Sequence, residues 1–269
     1  MKRMVMPMTQ HERDLACIKA FRLMDDDFMS AVFADSPECA ALVLNIILDR
    51  QDIEVLSVKT QYVVHSVEGH SVRMDMLARG SDGVLFNVEI QRADRGAARK
   101  RARYYSGILD AVSLKKGGDY EELPETYIIF ITEKDVLGRG KAVYRIDRMI
   151  DGDEPFGDGA HIVFVNGAFR GDTPIGQLMH DFNCTNVEEF CHPALRQRTR
   201  YFKEDTEGVG SMCRMMEEMR NEVALESKIA TWIDDAKKMM ERFHVSREDA
   251  VDTFEIPAEY RTTVLEALK

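Results

Sequence analysis

The sequence predicts an α/β or α+β domain, a sheet sandwiched by helices, with a helical appendage behind it. Three observations carry this. Apolar residues ahead of residue 50 recur at helical spacing, three β-rich stretches follow one another between residues 53 and 91, and two short apolar runs lie beyond an intervening helix. Residues 11–24 and 27–50 have helical patterning. Within the second stretch Leu42, Val43, Ile46 and Ile47 share a face, and Ser36-Pro37-Glu38 resembles an N-cap followed by proline at the first helical position. From Ile53 the period changes: Val55, Val58, Tyr62, Val63 and Val64 are β-formers, and Gly69 punctuates the chain. Residues 71–78 and 83–91 alternate well enough for two strands, joined as a hairpin by Arg79-Gly80-Ser81-Asp82-Gly83. A helix over residues 97–114 follows, closed by Gly117-Gly118. The apolar runs 127–132 and 161–166 have the length of buried strands.

After residue 205 the character shifts. Gly208-Val209-Gly210 is expected to break the chain, giving two domains, 1–205 and 206–269. Met212, Met215, Met216, Met219 and Val223, then Ile229, Trp232, Ile233, Met240 and Phe243, form an apolar stripe at helical spacing that reads as core. Ser246-Arg-Glu-Asp249 resembles a capping box opening one more short helix.

The 269 residues (30.7 kDa) are 45% apolar and 31% charged, the profile of a soluble globular protein with enough chain to bury a core. Five cysteines without a C-x-x-C pair argue against a disulfide framework and fit a reducing, cytoplasmic setting. No apolar run approaches the roughly 20 residues of a bilayer span, and no signal-peptide core is evident, so no membrane partner is expected. The net charge of −11 argues against nucleic acid only if charge is evenly spread, and it is not. Between Arg92 and Lys116 eight basic residues (Arg92, Arg95, Arg99, Lys100, Arg101, Arg103, Lys115, Lys116) face only Asp94 and Asp110. A second cluster, Arg196, Arg198, Arg200 and Lys203, surrounds Tyr201 and Phe202. Such segments suit phosphate backbones, although charge runs are more often solvated helix faces.

The chemistry concentrates between Val72 and Tyr105. Asp75 lies in one strand of the hairpin and Glu89 in the other, and a carboxylate in an apolar strand is costly to bury unless paired or metal-bound. Gln91 stands two residues after Glu89, on the same face. Two carboxylates and the Ile90 carbonyl make a hard oxygen donor set suited to Mg2+ (or Mn2+), an ion that can polarise a phosphate and acidify a water. The structural alternative is a buried pairing of these acids with Arg73 or Arg92. The basic helix beyond, with Arg99, Lys100 and Arg101 for phosphates and Tyr104 and Tyr105 for sugar or base, fits DNA binding.

Other clusters are weaker. His180, Cys184, Cys191 and His192 fit no standard two-plus-two zinc spacing, and adjacent Cys191 and His192 chelate together only through an awkward turn. Gly138-Arg-Gly140-Lys141 has the wrong spacing for a phosphate loop and reads as a turn. Cys17 has no context that makes it a nucleophile.

The run Asp75…Glu89-Ile-Gln91 on a hairpin, followed by a helix with K-R-A-R-Y-Y, resembles the PD-(D/E)xK nuclease superfamily. More narrowly it is similar to the bacterial Rpn-type family of recombination-promoting nucleases and transposases. The stretches F21-R-L-M-D-D-D-F-M, L123-P-E-T-Y-I-I-F-I-T-E, F156-G-D-G-A-H-I-V-F-V-N-G and R200-Y-F-K-E-D-T-E-G-V carry the same likeness, which covers most of residues 20–225. The resemblance implies a restriction-endonuclease-like mixed sheet flanked by helices and metal-dependent cleavage of DNA. Asp75 and Glu89 would then be metal ligands, and Gln91 would stand where the superfamily has lysine. Arg101 and Tyr105 would lie on the adjoining helix, and a first-helix acid would be Glu38 or one of Asp25, Asp26 and Asp27, with Asp27 also a candidate helix N-cap. Met74 replaces the motif's proline, which supplies no chemistry. Glutamine cannot supply the lysine's positive charge, so Lys100 or Arg101 is the expected substitute. The expected function is a Mg2+-dependent DNA endonuclease, with a homodimer natural for double-strand cuts. The alternative is a weak or inactive nuclease fold that binds DNA or protein.

Overall fold

The computed structural model describes residues 8–64, 70–92 and 97–268. Gly69, Asp94 and Arg95 lie outside them. The chain divides into two compact units, residues 1–209 and 210–269.

The first unit opens with α1 (Gln10–Ala20), entered through a capping box in which Thr9 and Glu12 satisfy each other's backbone amides. The expected helix over 27–50 is two helices, α2 (Asp26–Phe33) and α3 (Pro37–Leu48). They separate at Asp35, which takes a left-handed φ of 52°, and α3 restarts with Pro37 at its first turn, where a missing N–H costs nothing. Three antiparallel strands follow: β1 (Val55–Val64), β2 (Val72–Gly80) and β3 (Leu85–Gln91). Helix α4 (Arg99–Ser113) carries the chain over the sheet to β4 (Thr126–Thr132), parallel to β3. Next come β5 (Val143–Ile146), a small ribbon of β6 (Met149–Ile150) and β7 (Glu154–Pro155), and β8 (Ala160–Asn166). The main sheet is six-stranded and mixed, ordered β1-β2-β3-β4-β8-β5, with β4 and β8 parallel and β5 antiparallel at the edge. The unit closes with α5 (Pro174–Asn183) and α6 (Pro193–Glu204). Beneath α4, Ala102, Tyr105 and Leu109 pack on Met74, Ile128, Phe130 and Phe164, joining helix and sheet into one core.

The second basic cluster is not a phosphate-binding face, because its cations are spent inside the unit. Arg198 donates to Val32 O and Ala34 O at 3.0 and 2.7 Å, closing the C-terminal end of α2. Lys203, buried, donates to Lys19 O, Phe21 O and Thr185 O at 3.1, 2.6 and 2.7 Å, and desolvation pulls its pKa down to about 8. Arg196 donates to Phe190 O, and Arg200 pairs with Glu188 and Glu204. The Gly138–Lys141 stretch is a turn wound round Asp135, whose carboxylate accepts from the amides of Leu137, Gly138 and Gly140 and from Tyr144 OH.

Gly208-Val209-Gly210 does not interrupt the chain. It lies inside α7 (Thr206–Phe243), which continues through it. The reason for Gly208 is contact rather than breakage: a Cβ there would stand 2.1 Å from Tyr201 O. In the second unit, α8 (Arg247–Thr253) is capped by Ser246, which accepts from Asp249 N at 3.1 Å, and α9 (Ala258–Ala267) ends the chain. Ala236, Ala250, Val251, Ile256 and Val264 form this unit's core, with Trp232 and Met240 packed against it. Val223 and Phe243, expected in the apolar stripe, are exposed. Among the described residues no single helix is long and apolar enough to cross a membrane, and all five cysteines are free.

Gly208→Ala should cost about 1–3 kcal/mol through overpacking against the Tyr201 carbonyl. Urea unfolding followed by circular dichroism measures it, and an unchanged midpoint would contradict the close approach.

Candidate active site

The hairpin β2–β3 and helix α4 bring the acids together. Glu89 and Gln91 lie two residues apart on β3 and face α4, while Asp75 comes from the neighbouring strand. Both acids are buried, Glu89 completely. Each holds the other's strand in place: Asp75 Oδ2 accepts from Ile90 N at 2.8 Å, and Glu89 Oε1 accepts from Asp75 N at 3.2 Å.

The strands are locally irregular here. On β1, Ser57, Lys59 and Tyr62 all line one hollow beneath α4, so the two-residue alternation skips a step between 59 and 62. Gln61, with φ of 51°, takes up that step. On β2, Val72 and Met74, and beyond Asp75 also Leu77, turn to the α4 core, so the phase changes at Asp75 as well. Tyr62 pairs with Met74 and Thr60 with Met76, which sets the two irregular residues side by side in the ladder. Gln61 Nε2 donates to Asp26 Oδ1 and Ser30 Oγ, both at 2.8 Å, and ties α2 to this spot.

Lys100 is exposed, and it is Arg101 that reaches the acidic hairpin. Its Nη2 lies 2.9 Å from Glu89 Oε2, its Nη1 donates to Gln91 Oε1 at 3.2 Å, and its Nε and Nη2 reach Tyr105 OH at 3.0 and 2.7 Å. The i, i+4 spacing sets Arg101 and Tyr105 on the sheet-facing side of α4, with the guanidinium 4.9 Å from the Tyr105 ring centre. The same periodicity leaves Arg99, Lys100, Arg103 and Tyr104 exposed. Tyr105 is therefore not a base-stacking group. It is buried, and it orients Arg101 through the hydroxyl. Arg99 lines a cavity of about 600 Å³ with Arg139, Lys141 and Arg145, a basic hollow that sequence spacing did not reveal.

Of the first-helix acids, the structure brings Asp26 to the site. Desolvation first, and then the Asp26 charge, raise the pKa of Asp75. Desolvation and then the Asp75 charge raise that of Glu89, with Arg101 opposing both. Asp27 has a raised pKa from burial and from Asp26, against the pull of Arg73. The N-cap of α2 is Asp25 rather than Asp27. Glu38 lies elsewhere, in a groove with Ala194, Gln197, Arg198 and Tyr201, because the break before α3 points its first turn toward α6. Of the arginines the structural alternative named, Arg92 binds Asp25 at 2.8 Å instead, whereas the charge of Arg73 opposes the rise in the Asp75 pKa.

The residues present fit a hard divalent cation. Two adjacent buried carboxylates are each destabilised as anions by burial and nearby negative charge, which a cation relieves. Gln61 Oε1 is buried and lacks a hydrogen-bond partner among the described residues, so an oxygen donor is left over on the residue that binds Asp26. An all-oxygen set of this kind suits magnesium or manganese.

A mixed sheet with this acidic hairpin beneath a following helix defines a nuclease-fold protein. Residues 30–166, about half of the chain, match the family model for PD-(D/E)XK nuclease family transposases, and the chain belongs to that family. Gln61, Asp75, Glu89, Gln91, Arg101 and Tyr105 fall inside the matched span, and Asp26 just ahead of it. No curated protein and no solved structure matches the chain.

Carboxyls with raised folded-state pKa values hold more protons folded than unfolded, so their contribution to stability falls as pH rises. In chelator, stability should decline from about pH 5 to pH 8, above the ordinary carboxylate range. Glu89→Gln should flatten that decline and be the more stable form at pH 8 by on the order of 1 kcal/mol. Thermal melts across pH check it, and parallel profiles for the two proteins would contradict it.

Proposed function

We propose that the chain is a metal-dependent DNA endonuclease that hydrolyses phosphodiester bonds, with Mg2+ or Mn2+ as its ion and DNA as its partner. The observation that carries the reading is the single guanidinium of Arg101 bonded to both Glu89 and Gln91, beside the buried Asp75–Glu89 pair. Asp75, Glu89 and the Ile90 carbonyl would hold the ion. When bound, the ion would polarise the scissile phosphate and lower the pKa of a water.

The remaining roles belong to the chain's own groups. Gln91 orients the attacking water through its amide, whose oxygen Arg101 fixes. Arg101 supplies the positive charge that glutamine lacks, close to where charge develops on the phosphate. Tyr105 is a positioning residue that holds Arg101 in its rotamer. Asp26, linked to Gln61, adds negative charge that favours ion capture. The exposed cations Arg99, Lys100 and Arg103 on α4 grip the phosphate backbone, extended by the basic hollow of Arg139, Lys141 and Arg145. Tyr104, exposed with its hydroxyl donating to His70 O at 2.8 Å, offers a ring face to sugar or base. A homodimer would place one site on each strand for a double-strand cut.

Purified protein should nick supercoiled plasmid with Mg2+ or Mn2+ and not in chelator. Asp75→Ala should abolish the activity while its circular dichroism stays native, and Arg101→Ala should slow it by about two orders of magnitude. Plasmid left intact by wild type across divalent metals, with metal-free DNA binding that weakens steeply with salt, would favour a binding module instead.

A further inference from the structure

The segment from His180 to His192 folds back on itself. His180 and Asp181 sit in the last turn of α5, Cys184 caps that helix, and a short 3-10 turn at Val187–Glu189 returns the chain so that Cys191 and His192 lead into α6. Asp181, completely buried, holds the return. Its Oδ1 accepts from Cys191 N at 2.7 Å, and its Oδ2 accepts from His192 N at 2.9 Å and lies 2.8 Å from His192 Nδ1. His180 Nδ1 then stands 3.3 Å from Asp181 Oδ1 and 3.9 Å from Cys191 Sγ. The ligand atoms of His180, Asp181 and Cys191 all lie within 4.8 Å of one another, as do those of a second trio, His180, Cys184 and Glu189.

Two chemistries draw on such a cluster. A nucleophilic Cys–His–Asp relay needs thiol and carboxylate on opposite ring nitrogens. Here Cys191 Sγ and Asp181 Oδ1 both approach Nδ1, so that relay is not built. A metal shell asks for the opposite, donor atoms gathered round one point. Bonds of about 2.0–2.3 Å at tetrahedral angles place neighbouring donors ~3.5 Å apart, and the observed separations bracket that value. Mixed imidazole, thiol and carboxylate donors select a borderline-soft ion, unlike the all-oxygen set at Asp75 and Glu89. His192 has a defined place too. It does not compete for the ion beside Cys191 but braces the far oxygen of Asp181, as partners of metal-bound carboxylates commonly do.

We propose that residues 180–192 form a zinc site, with His180 Nδ1, Asp181 Oδ1 and Cys191 Sγ as its protein ligands and a water in the fourth position. Binding draws the Cys191 thiol proton off to solvent and clamps the connection between α5 and α6. The site lies outside residues 30–166 and does not depend on the nuclease reading.

The test uses the full chain carrying Asp75→Asn and Glu89→Gln, so that the oxygen site does not compete. The protein is reduced, stripped with chelator and titrated with Co2+ and then Zn2+. One equivalent of Co2+ per chain should bind with tetrahedral d–d bands and a sulfur-to-cobalt charge-transfer band, and Zn2+ should displace it. Cys191→Ser and His180→Ala should each weaken binding at least about tenfold, and Cys184→Ser should leave the charge-transfer intensity unchanged. Zinc should raise the Tm of the parent chain and not that of Cys191→Ser. Absence of the thiolate band in the folded parent would overturn the proposal, as would equal affinity in the parent and a folded Cys191→Ser chain.

Discussion

The first unit is organised round two carboxylates buried side by side where β2 meets β3. Desolvating one carboxylate is costly, and desolvating a second beside it is worse, because each raises the free energy of the other's charged form. The surrounding structure offsets that cost piece by piece. Backbone amides of Ile90 and Asp75 bind the two side chains, and Arg101 descends from α4 to Glu89. Tyr105 and the Phe130 ring, 5.8 Å from the guanidinium, hold that arginine in place. The phase change at Gln61 in β1 accompanies the one at Asp75 in β2, where an undisturbed alternation would aim the neighbouring side chains differently. A divalent cation, as proposed above, would offset the rest of that cost.

The basic residues divide by what they face. On α4 the helical period sends Arg101 inward and leaves Arg99, Lys100 and Arg103 in solvent, next to a hollow that adds Arg139, Lys141 and Arg145. On α6 the cations close the backbone carbonyls at the ends of α1 and α2 or pair with nearby acids. Two runs of similar composition therefore have opposite fates, decided by whether carbonyls lacking partners lie within reach. The net charge of −11 conceals this, since it averages a locally basic face with acidic surface elsewhere.

The two donor clusters illustrate how composition selects chemistry. Asp75, Glu89 and the Ile90 carbonyl, the proposed ligands, would offer only oxygen and sit against a cationic helix, whereas His180, Asp181 and Cys191 offer nitrogen, oxygen and sulfur in a tight return of the chain. Hard and borderline-soft ions would sort between them on donor type alone.

What the sequence determined by itself was local and periodic. The hairpin, the shared face of Glu89 and Gln91, and the i, i+4 pair Arg101 and Tyr105 all follow from periods of two and 3.6 residues. Tertiary structure decided what those periods cannot carry. Among three consecutive aspartates it selected Asp26, because Gln61, 35 residues away, reaches back to it. It removed Glu38 from consideration through a left-handed residue at Asp35, and turned Gly208 from a breaker into a contact with Tyr201. It also gathered Asp181 and Cys191 about His180, in a spacing that matches no standard pattern, by reversing the chain at Val187–Glu189. The reason is common to all of these. A repeat along the chain reports which face a residue takes, but proximity between distant residues depends on where the backbone turns, and those turns are set by packing.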